Sequence, residues 1–248
     1  MTGDATRIGD TMRRTAQPWS ASVQAVLLHF ERAGVSGVPR ALGLDALGRE
    51  TSTHVAGDVW DYPLPELVWR ESTLIAVAAL LRGLHDATLD FEPPQDARWM
   101  LAMPPDLPAE VVCHNDFAPY NVAFDDHGPV GVIDWETAAP GARVWDVAYA
   151  AYRFVPLSPD APVELREASA QARRLAMFCD AYGLGSADRA ILLATVARRV
   201  EHLRDLILSE AAKGSPVFAS HLADGHVDGY EADLEYVRAS AVALAEWL

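Results

Sequence analysis

The sequence predicts an α+β fold in two parts: residues 1–57 with short strands and one helix, and residues 58–248 mostly helical. Three observations predict it. The periodicities run strand, helix, two strands, then long helical stretches interrupted by short apolar strands. Strand and helix do not alternate, as they would in a doubly wound sheet. Half of the 248 residues are hydrophobic, enough for a sizeable core.

The elements follow in order. Residues 6–15 read as one short strand centred on Thr11-Met12-Arg13-Arg14. Pro18-Trp19-Ser20 opens a helix. Val23, Val26, Leu27 and Phe30 recur on one face of it, and Gly34 stops it. Residues 40–55 read as a hairpin around the turn Asp45-Ala46-Leu47-Gly48. Gly57 ends this first part. Pro63 and Pro65 mark a connection, and one long helix follows with Leu67, Leu74, Val77, Leu81 and Leu84 on one face, ending near His85-Asp86. Residues 91–109 are proline-rich and read as an irregular surface loop. Residues 111–114 form a short apolar strand. Residues 122–124 and 131–133 pair as a hairpin around Asp125-Asp126-His127-Gly128. Helices are expected over 143–153, 163–182, 186–212 and 229–247. In the last, Leu234, Val237, Ala241, Leu244 and Leu248 form a core stripe.

Composition narrows the partners. The formal net charge of −15 argues against nucleic acid, whose phosphates want Lys and Arg. It is compatible with a cationic small substrate, and equally with solubility alone. Acidic residues on the late helices (Glu201, Asp205, Glu210, Asp224) read either as the lining of a pocket for amines or as a solvated face. Two cysteines, Cys113 and Cys179, make no disulfide framework, so a reducing cytoplasm is expected. No apolar run approaches the ~20 residues of a membrane span. Met1-Thr2-Gly3-Asp4 lacks the basic-then-apolar pattern of a signal peptide. No G-x-x-x-x-G-K-[ST] is present, which removes a P-loop. His29, His54, His127, His202, His221 and His226 show no metal-ligand spacing.

The chemistry is carried by His114-Asn115-Asp116-Phe117-Ala118-Pro119-Tyr120-Asn121 and, after a hairpin, Ile133-Asp134-Trp135-Glu136. This supplies an Asp, an Asn five residues on, and a second Asp at the end of an apolar run. Phosphoryl transfer of the kinase type needs that set. One carboxylate accepts the proton of a substrate hydroxyl, while an amide oxygen and a second carboxylate hold magnesium on the phosphates. Asp116 is the candidate base. Asn121 and Asp134 are the candidate metal ligands, since magnesium prefers oxygen and keeps several waters. His114 reads as structural, bonding a backbone carbonyl. Asp146 reads as a helix-start residue that braces the loop. Glu136 is either a surface carboxylate or one that faces substrate. His85-Asp86 reads as packing at a helix end.

Residues 111–145 resemble the aminoglycoside phosphotransferase family, which shares the protein-kinase-like fold with choline kinases and fructosamine kinases. The matches are Cys113 to Asn121 and Gly131 to Glu136, with Leu84-His85-Asp86 before them and Asp146-Val147-Ala148 after. The resemblance implies a bilobal protein-kinase-like fold with Mg2+ and ATP, or GTP, as the donor complex. It implies a small-molecule hydroxyl acceptor such as an antibiotic or metabolite. It implies that the backbone of Thr53 and Val55 meets the adenine edge and that Gly57 follows the hinge. The family places a lysine on the strand that here carries Arg13 and Arg14, which become the expected phosphate binders. Glu31 on the next helix is their nearest acidic partner. Lys213 is the sole lysine, and Gly3 and Gly9 do not make a glycine-rich phosphate hairpin. A non-catalytic immunity or regulatory protein on the same scaffold is the alternative.

Overall fold

The computed structural model describes residues 5–248; Met1 to Asp4, Gly3 among them, lie outside the described residues. The chain divides into two compact units, one ending at Asp146 and one spanning Val147–Leu248.

The first unit opens with a four-stranded antiparallel sheet in the order β1-β2-β4-β3: β1 (Thr6–Ile8), β2 (Thr11–Thr15), β3 (Ala41–Leu44) and β4 (Arg49–Thr53). The single strand expected over 6–15 is therefore a hairpin. Gly9 takes a φ of 61°, and the Thr11 hydroxyl donates to the Ile8 carbonyl across the turn. Helix α1 (Ser20–Arg32) buries the predicted face of Val23, Val26, Leu27 and Phe30.

The long helix expected after Pro65 is two helices, α2 (Glu66–Trp69) and α3 (Glu71–Asp86). Arg70 between them is extended, with ψ of 146°, so the hydrogen-bond ladder restarts there. In α3, Leu74, Val77, Leu81 and Leu84 are at most 2% exposed. Burying each contributes up to about 1.5–3 kcal/mol. The end of α3 is tied to β5 (Val111–Cys113) through Thr88. Its hydroxyl donates to the His85 carbonyl and accepts the Val112 amide. β5 pairs with β8 (Ala139–Gly141), a strand the sequence did not announce. Between them lies the expected hairpin of β6 (Val122–Asp125) and β7 (Gly128–Val132).

Two close backbone approaches lace this hairpin to the rest of the unit. The Val132 amide donates to the Gly37 carbonyl at 2.7 Å, and a Cβ on Gly131 would overlap that carbonyl. Asp58 and Phe124 exchange amide-to-carbonyl bonds of 2.7 and 2.9 Å. Gly57, with φ of 129°, has no space for a side chain: a Cβ would stand 2.9 Å from the Phe124 carbonyl oxygen. Glycine is required at both approaches because the backbones touch.

The second unit is helical. It contains most of α4 (Arg143–Phe154), then α5 (Ala168–Tyr182), α6 (Ser186–Ala212), α7 (Pro216–Ala223) and α8 (His226–Ala245). Gly183, with φ of 75°, ends α5 in the left-handed cap that glycine favours. α8 packs on α5 and α6 through buried Leu234, Val237 and Leu244. Three of the late acidic residues form ion pairs: Asp205 with Arg204 and Glu210 with Lys213 nearby in sequence, and Glu201 with Arg238 between α6 and α8. These are the pairs of a solvated helix face, each contributing about 0–1 kcal/mol. No described helix is long and apolar enough to cross a membrane.

Candidate active site

The segment from His114 to Asn121 is fixed at its start by one buried carboxylate. Asp146 is fully buried. Its Oδ2 accepts the His114 amide at 2.7 Å and meets His85 Nε2 at 3.1 Å, and its Oδ1 accepts the Asn115 amide at 2.8 Å. Burial works against the charge. The hydrogen bond from His85, the positive potential of His85 and His114 and the His114 amide outweigh it and hold the carboxyl below its ordinary range. Asn115 then takes a φ of 64°. That left-handed turn swings the chain outward so that Asp116 leaves the strand. His85, read from the sequence as packing, is a direct partner of the brace.

His114 is structural, as its position at a strand end suggested. Its Nε2 lies 2.9 Å from the Ile133 carbonyl, and its Nδ1 accepts the Asp116 amide. The same Ile133 donates its amide to the Asn121 carbonyl at 2.9 Å. Ile133 is thus gripped from both sides, and Asp134 follows it directly in the chain. Asp134 is itself left-handed, with φ of 56°. Trp135 behind it packs edge-on against His114 and Phe30.

The candidate base and amide touch. Asn121 Nδ2 donates to Asp116 Oδ2 at 2.8 Å and to the Asp116 carbonyl at 2.9 Å. Both protons of the amide being used this way, its oxygen is the atom that can meet a cation. The Tyr120 hydroxyl donates to Asp116 Oδ1 at 2.8 Å. Sequence reasoning passed over Tyr120. The signal was its place in the single turn Pro119–Asn121, which folds its side chain back over Asp116.

Of the two arginines on β2, one reaches the site. Adjacent strand residues face opposite ways. Arg13 points to Asp45, 3.4 Å away. Arg14 Nη1 lies 3.2 Å from Asp134 Oδ1 and 3.5 Å from Glu136 Oε2, while its Nε donates to Glu50 at 3.1 Å. Burial alone would loosen its proton, yet Glu50, Asp134 and Glu136 together raise its pKa further. Glu136 is neither a surface group nor an open one: it is 3% exposed and faces Arg14. Glu31 does not partner the arginines but lies 3.7 Å from Arg40.

Thr53 ends β4, and its amide donates to the Arg40 carbonyl. Val55 lies against Gly131. A cleft of about 560 Å³ adjoins this segment, lined by His54, Gly57, Asp58 and Phe124 among others, and includes none of the expected site residues. Among the described residues, no three His, Cys, Asp or Glu side chains are arranged to hold a metal by themselves. Asn121 and Asp134 offer oxygen donors, the ligand type that magnesium prefers.

A family model described as the phosphotransferase enzyme family matches residues 60–190, just over half of the chain. The chain belongs to this family. A trifolitoxin immunity protein of Rhizobium leguminosarum bv. trifolii is 32% identical over 191 residues, covering 74% of this chain and 72% of its own. A choline/ethanolamine kinase family protein from Mesorhizobium loti superposes with a TM-score of 0.60 at 20% identity, covering 98% of this chain and 89% of its own. An ADP-bound aminoglycoside phosphotransferase gives 0.55 at 12% identity, covering 98% and 93%. Likeness at these identities establishes the fold, which is the protein-kinase-like one with a small N-terminal sheet and a helical C-terminal part. Family and fold together support a small-molecule phosphotransferase.

Proposed function

We propose that this chain transfers the γ-phosphate of a magnesium-bound nucleoside triphosphate, ATP or GTP, to a hydroxyl of a small molecule. The observation that carries the reading is a chain of contacts: Asn121 bonds Asp116, the Asn121 carbonyl accepts the amide of Ile133 next to Asp134, and Arg14 pairs with Asp134. Asp116, held at one oxygen by Asn121 and at the other by Tyr120, takes the hydroxyl proton as that oxygen attacks phosphorus and the nucleoside diphosphate leaves. Asn121 and Asp134 offer the oxygens for magnesium, which neutralises charge on the phosphates when bound. The planar fork of Arg14 suits phosphate oxygens. Thr53 and Arg14 stand near opposite ends of the β2–β4 pairing, roughly 10 Å apart along the strands. That leaves room for a nucleoside between an adenine edge at Thr53 and Val55 and phosphates at Arg14.

The immunity relative favours a second reading: protection against a toxic compound, by binding it without chemistry. Thermal unfolding with Mg-ATP and with Mg-GTP separates the two. A ligand at a hundred times its Kd stabilises the folded state by about 2.7 kcal/mol. A clear rise in melting temperature with either nucleotide supports phosphotransfer. No rise with either, at millimolar nucleotide and magnesium, leaves the binding protein as the better account.

A further inference from the structure

Arg14 needs a holder. Its Nη1 faces two carboxylates, Asp134 and Glu136, and a guanidinium that is to meet phosphates must be aimed from its other side. On α1, the only acidic residue is Glu31 in the last turn, and it sits with Arg40. The acid that grips Arg14 comes instead from β4. Glu50 is directly across the antiparallel pair from Arg14 and is 5% exposed. Its Oε2 accepts Arg14 Nε at 3.1 Å and the Ser20 hydroxyl at 2.8 Å, and its Oε1 accepts Gln24 Nε2 at 3.1 Å.

We propose that Glu50 is the positioning residue for Arg14, a strand-borne acid supported by neutral donors from the helix. The inference rests on the phosphotransferase reading. Its geometry is specific. Nε is the inner nitrogen of the guanidinium, so a carboxylate there fixes the plane of the fork while leaving the Nη groups to face the cleft. Glu50 can keep Nε while Nη1 passes from Asp134 to a phosphate. Ser20 and Gln24 are four residues apart, on one face of α1. Gln24 also accepts the Gly43 amide. Helix α1 and strand β3 are thereby tied to the aim of one side chain.

Calorimetric titration of Mg-ATP and Mg-GTP into the full-length protein tests this, with four forms: wild type, Glu50→Gln, Arg14→Gln and the double variant. Urea unfolding of each gives the folded fraction used for normalisation. Glu50→Gln should weaken nucleotide binding about tenfold, the scale of losing a charge-assisted hydrogen bond. Arg14→Gln should weaken it at least as much. The double variant should bind no more weakly than Arg14→Gln alone, because Glu50 acts only through Arg14. It should also be no less stable than Arg14→Gln, which strands a buried carboxylate. Unchanged affinity in Glu50→Gln, or an additive loss in the double variant, overturns the inference while the phosphotransferase reading survives. A wild type that binds neither nucleotide overturns both. Should Glu50→Gln fail to fold, Ser20→Ala with Gln24→Ala takes its place. The expected loss is then about threefold, present with Arg14 and absent from the Arg14→Gln background; any other pattern overturns the inference.

Discussion

The candidate catalytic loop, which bonds Ile133, and the small sheet, whose Arg14 pairs with Asp134, are held by different constructions. On the loop side, Asp116 and Asn121 are held largely through the backbone: amides of His114 and Asn115 on Asp146, the Asp116 amide on His114, the Ile133 amide on the Asn121 carbonyl. On the sheet side, Arg14 is held entirely through side chains, by Glu50 and, behind it, Ser20 and Gln24. β1 is exposed along its length and β3 along most of it. The loop's backbone amides are thus set by two buried side chains, Asp146 and His114, and by one bond to another main-chain group. A side-chain cluster can be built from several residue types, and here it is built around arginine. The same freedom leaves it open to single substitutions.

Substitutions can break this contrast. Asp116→Asn should remove the proton acceptor; the new amide oxygen can still accept from Asn121, while the Tyr120 hydroxyl must turn to accept from the new amide nitrogen. Turnover of nucleotide should fall by about 10³-fold with the thermal midpoint unchanged; near-normal turnover would remove the base assignment. Asp146→Ala should act on stability as well as rate, because it strands two buried amides and His85. A loss of about 3 kcal/mol in urea unfolding is expected, against under 1 kcal/mol for an exposed carboxylate such as Asp228. Asp134→Asn should weaken Mg-nucleotide binding about a hundredfold by calorimetry, while metal-free nucleotide is affected far less. Equal effects with and without magnesium would remove the metal role.

The smallest expected effect is in acid. Asp146 is held below its ordinary range for the reasons given above. In Asp86, burial opposes the charge, but Arg82 and Arg143 outweigh it. Asp45 is held at about 2, first by the Arg49 amide. Each binds its proton less readily folded than unfolded. Each therefore contributes stability that is present above the unfolded value, about pH 4, and is lost as pH falls toward the folded ones. Stability measured from pH 6 to pH 3 should stay level at first and then decline, and Asp146→Asn should flatten part of that decline.

What the sequence disclosed follows the same division. The spacing of Asp116, Asn121 and Asp134 was readable because a loop held at its backbone amides demands fixed offsets. The turn at Asp45 and the helix stop at Gly34 were readable because glycine and aspartate do local work there. The partner of Arg14 was not readable. Glu50 is thirty-six residues away, and only the register of β2 against β4 makes them neighbours. β8 was missed because Ala139-Pro140-Gly141 has no strand propensity and pairs only through its meeting with β5. α7 was passed over although Pro216 sits at its first position, a usual start signal. The break at Arg70 has no proline or glycine to mark it.

Asn115 and Asp134 each bend the main chain in the sense that, beyond glycine, mainly asparagine and aspartate tolerate. Amide and acid are thus interchangeable there as far as the corner's contour is concerned. An experimenter can tune the electrostatic field at the crevice by swapping one for the other, whereas a branched replacement would distort the corner before it altered the field.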